Sequence, residues 1–299
     1  MWTTKEIPDL KEKTVIVTGA NTGIGYETAF ALYQAGANVI IACRDKNKAE
    51  KAIAKMENQK GAGSLEIGIL DLANLNSVRQ FAETFIEQHK QLHLLINNAG
   101  VGTPPASKTS EGYELQFGVN FLGHFALTGL LYPLLQATQG SRIVTVSSFA
   151  YKGGAIDFDN FKLEKDYNAV REYCQSKLAD LLFSIELDRK IKAKGHQVLS
   201  IAAQPGANNT ELTRHTPDEA VVTMKERFGG FMESWQGALP TLYAAVSNEA
   251  TGGKMYEPDD NGIKGYPALA SIQENAMDET VANKLWNIAQ RITGIVYPI

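Results

Sequence analysis

Short apolar runs alternate with longer stretches of helical periodicity along this chain, and the alternation never breaks. Residues 14–18 form a β-branched run and predict a buried strand. A helical pattern then runs to about Gln34 and stops at Gly36. Further strands are predicted at 38–42, at 65–70 ending in Asp71-Leu72, and at 92–96 ending in Asn97-Asn98-Ala99-Gly100. Three more are predicted at 142–146, at 197–203 and, as a short edge strand, at 253–256. Between them, Val78, Phe81, Phe85 and Ile86 mark the inward face of a helix. Residues 117–135 are apolar nearly all round and predict a buried helix. Leu178, Leu181, Leu182 and Ile185 predict another, ending before Gly195, and 235–246 and 278–290 predict two more. Residues 258–267 are rich in turn formers. Strand and helix in strict alternation predict an α/β fold: a doubly wound parallel seven-stranded sheet in a single domain over 1–299. Two segments stand apart as substrate lids. One is the aromatic, glycine-containing insertion at 149–170. The other is 211–235, whose part 211–230 is charged and irregular, with Pro217 and the pair Gly229-Gly230.

Composition removes several function classes. A net charge of −4 offers no electrostatic footprint for nucleic acid or an anionic membrane. The two cysteines, Cys43 and Cys174, lack metal-type spacing, so no metal site is expected, and they suit a reducing compartment. The amino terminus has no apolar signal region, and no run of eighteen apolar residues occurs. The expectation is therefore a cytoplasmic chain without a membrane span.

The chemistry concentrates where predicted strands end. The first strand runs into Gly19-Ala20-Asn21-Thr22-Gly23-Ile24-Gly25 and then into a helix. Glycines let a backbone approach a pyrophosphate closely, and a helix N-terminus faces the anion, so a Rossmann-type dinucleotide site is expected here. The same turn also serves simply to pack a helix on a sheet. At the end of the second strand an acid would bind the adenosine ribose, whereas an arginine accommodates a 2′-phosphate. Cys43 stands where the acid would be and Arg44 follows, which predicts NADP over NAD. Asp71 and Leu72, and Asn98, Ala99 and Gly100, lie at the carboxyl ends of strands, where ligands bind in open α/β sheets. Finally, Tyr173 and Lys177 are four residues apart on one helix face. An ammonium there favours the phenolate, so Tyr173 is a candidate general acid or base and Lys177 its tuner. Asn120 and His124 fall in the buried helix, where His124 is expected to be a satisfied core histidine.

These pieces occur in an order that resembles the short-chain dehydrogenase/reductase family over most of the chain. They are Thr18-Gly19 through Gly25, Asp71, Asn97 to Gly100, Asn120, Ser148, Tyr173 to Lys177, Pro205-Gly206 and Thr210. Cys43-Arg44, the insertion before Tyr173 and Gly265-Tyr266-Pro267 look like its retinol dehydrogenase and WW-domain-oxidoreductase-like branch. The resemblance implies NADP(H)-dependent hydride transfer between the cofactor and a small-molecule carbonyl or alcohol. In it, Tyr173 would be the acid or base, and Lys177 would bond the nicotinamide ribose. Ser148, chosen over Ser147 for its Ser-x-Ala context, would hold the reacting oxygen. Asn120 would hold a water linking Lys177 to solvent, and Thr210, after Pro205-Gly206, would bond the carboxamide. Relatives in that family often pair through the helices holding Asn120 and Tyr173, though loops can block this, so a homodimer is one possible assembly. Membrane-anchored members carry an N-terminal hydrophobic segment that this sequence lacks, which favours a soluble relative over a retinoid enzyme. The rival readings are a non-catalytic NADP-binding sensor on the same fold and an enzyme that reduces C=C bonds.

Overall fold

The apolar runs become the centre of one sheet, and helices pack on both of its faces. The computed structural model describes all 299 residues. In chain order the elements are β1 (Thr14–Thr18), α1 (Gly23–Gln34), β2 (Asn38–Cys43), α2 (Lys46–Asn58), β3 (Ser64–Ile69), α3 (Leu75–Gln88), β4 (Leu94–Asn97), α4 (Gly123–Ala137), β5 (Arg142–Val146), α5 (Ala169–Ala193), β6 (Leu199–Ala203), α6 (Asp218–Arg227), α7 (Ser234–Val246), β7 (Met255–Asp260), β8 (Lys264–Leu269) and α8 (Glu279–Thr293). The strand order is β3-β2-β1-β4-β5-β6-β7-β8. All neighbours through β7 pair parallel, and β8 pairs antiparallel with β7. The chain order reverses between β1 and β4, which opens a crevice at their carboxyl ends.

Alternate strand residues serve opposite layers, which is why the runs carry no polar alternation. Ile16, Ile40, Leu95, Ile143 and Ala202 join the core formed with α3, α4, α5 and α8. Val15, Val17, Val39, Ile41, Ile96, Val144 and Ile201 join the core formed with α1, α2 and α7. On the outer side of α4 and α5, the rings of Phe125, Phe183, Trp286 and Tyr297 pack into one cluster. The two helices expected to form a dimer interface are thus overlaid by α8 and the C-terminal residues.

The structure corrects the sequence expectations in several places. The sheet has eight strands, not seven, because 264–269 is extended rather than a turn. Its prolines hid it: Pro258 stands opposite Pro267. A proline facing a proline fits the positions of an antiparallel ladder where no N–H is needed. Helix α2 escaped the apolar pattern because it buries only Ala49, Ala52 and Met56. Ile86 points outward at 40% exposure, while Val78, Phe81 and Phe85 are buried. The segment expected to be irregular at 211–230 contains a short turn at Glu211–Thr213 and the regular helix α6, none of whose residues is buried. Phe117–Ala137 is the one helix long and apolar enough to cross a membrane by length and composition, and 83% of that window is buried inside the fold.

Candidate active site

The crevice is built around Thr18, the last residue of β1. Its hydroxyl accepts from the backbone N–H of Asn98 and of Ala99, both at 2.9 Å. His124 closes the chain of bonds beneath it. Its Nδ1 lies 2.7 Å from the Asn120 carbonyl, which can only accept, so Nδ1 carries the proton. Burial holds the ring's pKa down to about 4, so it is neutral, and Nε2 accepts from the Thr18 hydroxyl at 2.8 Å. His124 is the satisfied core histidine the sequence predicts. The Asn98 amide donates to the Thr18 carbonyl at 2.7 Å and so fixes the glycine turn. At two of its glycines no side chain fits. Gly19 has φ +67°, and a Cβ there would lie 2.9 Å from Ala99 Cα. A Cβ on Gly25 would lie 2.4 Å from both Asn98 Nδ2 and the Gly19 carbonyl.

Helix α5 carries the candidate acid and base. It starts at Asn168, whose side chain accepts from the N–H groups of Val170 and Arg171. Replacing this cap by alanine is expected to lower stability by about 1 kcal/mol. A shift of the urea midpoint at unchanged m would report it. Along the helix, Tyr173 is half-buried and Lys177 is buried. The Ser148 hydroxyl, just past the end of β5, lies near the Tyr173 phenol and accepts from Ala150 N at 3.2 Å. Ser147 points elsewhere: it donates to the Lys177 carbonyl at 2.7 Å and ties β5 to α5. The two adjacent serines therefore have separate tasks.

Two expectations change here. Lys177 and Ser148 do pull the Tyr173 pKa down, but burial outweighs them and the phenol is held above its ordinary value. The Asn120 side chain is almost fully engaged. Its oxygen accepts from Val101 N at 2.8 Å, and its amide donates to the Val101 carbonyl and to Ser176 Oγ at 3.1 and 2.9 Å. It lies in a wide π turn, 117–122, that leads into α4, and it pins the loop after β4 to α5. A bridging water would have only the second lone pair of Oδ1. Gly100 sits between Asn120 and Lys177, for a Cβ there would lie 3.4 Å from Asn120 Oδ1 and 3.7 Å from Lys177 Nζ.

The remaining candidates line the same crevice. Arg44 is exposed, and its side chain takes part in no ion pair or hydrogen bond of the fold. Next to it, Asp45 accepts from Lys48 N and caps α2. At the start of α1, Thr22 makes no side-chain cap, so the first N–H groups of that helix remain available to an anion. Asp71 accepts from Ala73 N through Oδ1 only, and Leu72 is buried beneath α4 against Gly123. Pro205 and Gly206 shape the turn after β6, where the Pro205 carbonyl accepts from Asn208. Thr210 lies over the glycine turn, with its Cβ 3.6 Å from where a Gly23 Cβ would be. Across the mouth, Phe149 and Phe228 meet edge to face at 5.3 Å, and Thr103 and Thr216 share a hydrogen bond of 3.2 Å. Sequence reasoning missed the Thr18–His124 bond, which spans 106 residues, and missed Asp180, which ion-pairs with Lys177 at 2.9 Å. For Asp180 the signal was present: an acid three residues after the lysine on an otherwise apolar helix face.

Comparison with known proteins identifies the family. The family model for short chain dehydrogenases matches residues 13–220. Retinol dehydrogenase 11 of Homo sapiens is 41% identical over 289 residues, covering 96% of this chain and 87% of that protein. Retinol dehydrogenase 13 of Homo sapiens is 42% identical over 294 residues, covering 96% and 86%. Among solved structures, an uncharacterized protein from Mycobacterium Paratuberculosis superposes with a TM-score of 0.84 at 36% identity, covering 100% of this chain and 99% of that one. The NADP active-site complex of Pseudomonas aeruginosa RhlG, with a TM-score of 0.66 at 23% identity over 83% of this chain and 94% of that one, shares the fold.

Proposed function

The chain belongs to the short chain dehydrogenase family, and we propose that it is an NADP(H)-dependent oxidoreductase interconverting a carbonyl and an alcohol, with Tyr173 as general acid or base. The observation that carries this reading is the Tyr173 phenol, close to Ser148 and one helical turn from a buried lysine whose charge acts on it. The residues present fit a dinucleotide. The glycine turn holds the backbone close against Asn98 and Ala99, the start of α1 offers uncapped N–H groups, and Arg44 is unpaired. Gly19 to Gly25 would hold the pyrophosphate and Arg44 a 2′-phosphate. Asp71, Leu72, Asn98, Ala99 and Gly100 would flank the adenosine and the riboses, and Pro205, Gly206 and Thr210 the nicotinamide end. The cofactor supplies or accepts the hydride.

The chain's own residues handle the proton and the geometry. A substrate oxygen placed between Ser148 and Tyr173 would accept from both hydroxyls. In reduction the Tyr173 phenol donates its proton to that oxygen, and in oxidation the phenolate takes it back. Lys177 stabilises the phenolate by its charge. Segments 149–170 and 211–235 act as lids, closing through Phe149 and Phe228 over an apolar substrate.

A panel of apolar aldehydes, ketones and alcohols, with retinal and retinol among them because of the named relatives, tests the proposal. Loss or gain of reduced-nicotinamide absorbance is followed with NADPH and NADP. Turnover of a carbonyl or alcohol is expected. Cofactor binding with no turnover across the panel would favour the sensor reading, and a product saturated at C=C would favour the other rival.

A further inference from the structure

Lys177 is held in an arrangement that its proposed task does not by itself require. Its ammonium donates to the Val146 carbonyl at 3.0 Å and to Asp180 Oδ2 at 2.9 Å. Both side chains are withdrawn from water, at 6% and 2% exposure. The other carboxylate oxygen, Oδ1, is buried without any hydrogen-bond partner. An acid so placed is expensive to desolvate and only half satisfied, and a neutral side chain of the same size would pack there at lower cost. Its effect is electrostatic and is felt by the phenol about two turns earlier on the same helix.

Resting on the reading of Tyr173 as acid or base, we propose that Asp180 is a positioning residue that anchors the Lys177 ammonium beneath the site. It divides the lysine's charge between its own carboxylate and the Tyr173 phenol, and so sets the pH range in which the tyrosine exchanges its proton. Three groups on α5 then form one unit. Lys177 favours the phenolate, and Asp180 opposes it. Burial pushes the Asp180 carboxyl up to about 7 against the pull of Lys177, so the opposition weakens as the medium becomes acid.

The neighbours leave this unit isolated. Cys174, on the same helix, also acts on Tyr173, but burial keeps its thiol protonated. His124 faces Lys177 from α4 and is neutral. Tyr151, in the turn Phe149–Gly153, is bonded to Gln273 N and is raised by burial, so it too is neutral. Arg142 lies at the opposite end of β5, bonded to the Ala244 and Ser247 carbonyls, and β6 has no titratable side chain.

The test is Asp180→Asn, which keeps the size and an acceptor oxygen but removes the charge. Tyr173 ionisation is followed by near-ultraviolet tyrosinate absorbance, as the difference from Tyr173→Phe in the same background. The pH profile of kcat/KM is recorded beside it. Both midpoints are expected to move acid by about one pH unit, and Asp180→Glu is expected to move them back toward the wild type. An unchanged tyrosine midpoint would overturn the proposal, making Asp180 purely structural. A shift to higher pH would overturn it too, because Lys177 would then have lost its charge along with its partner. If Asp180→Asn does not fold, Asp180→Ser carries the same expectation. Failure of the functional reading looks different: no substrate turns over, while the tyrosinate titration still answers.

Discussion

Tyr173→Phe is expected to bind NADPH as the wild type does and to lose turnover by roughly 10²- to 10⁴-fold. The change deletes one hydroxyl and leaves the ring. It removes no backbone contact of α5, whose start is fixed by Asn168 and whose middle is tied to β5 through Ser147. The expected loss therefore falls on kcat rather than on the fold or on cofactor affinity. No other side chain can substitute. Ser148 is close enough but has no lysine to stabilise its anion, and Tyr151 is buried with its hydroxyl bonded to Gln273 N. Steady-state kinetics together with a cofactor titration by nicotinamide fluorescence would check this. Turnover retained within about tenfold, with the fold intact, would mean that the proton moves by another route.

The raised pKa of Tyr173 gives this prediction a direction in pH. Burial stabilises the protonated phenol, so the resting side chain is an acid at neutral pH, suited to giving a proton to a carbonyl. Oxidation requires the phenolate. Its rate is expected to rise with pH until the tyrosine ionises, and that limb is expected to vanish in Tyr173→Phe.

How far the sequence disclosed this site follows from the physics of each part. The glycine turn was legible because only glycine fits at Gly19 and Gly25, so the structure left a mark in residue type. The Tyr173–Lys177 pair was legible because helical periodicity is local. Strand β8 was not, since Pro258 and Pro267 are turn formers unless they face each other across a ladder, and that pairing is a tertiary fact. The role of Asn120 was only half legible. A buried amide must be bonded, but nothing in the sequence says that Val101 and Ser176 supply the partners. The same holds for Thr18 and His124, which meet only when β1 packs beneath α4. Net electrostatics were least legible of all. A lysine four residues from a tyrosine predicts a lowered pKa, whereas the folded site adds burial and an opposing aspartate.

Arg44→Ala is expected to weaken NADPH by roughly 10- to 150-fold, the loss of a charge-assisted contact of about 1.5–3 kcal/mol. NADH affinity should change by no more than about twofold, because it presents a hydroxyl where NADPH presents a dianion. The surroundings of Arg44 make this a specific expectation. Its guanidinium is exposed and unpaired, so it keeps all its donors for a ligand. The neighbouring acid that could bind a ribose hydroxyl, Asp45, faces the N-terminus of α2 and accepts from Lys48 N there. Cys43, at the end of β2, is buried with its thiol held protonated and its Sγ donating to the Asp45 carbonyl, so it brings no negative charge against a phosphate. Since the guanidinium is solvent-exposed, the discrimination should also shrink as salt is raised, by screening. Fluorescence titrations of both cofactors, at low and at high ionic strength, would measure it. Equal weakening of NADPH and NADH would place the 2′-phosphate away from Arg44 and leave the end of β2 as a general adenosine support.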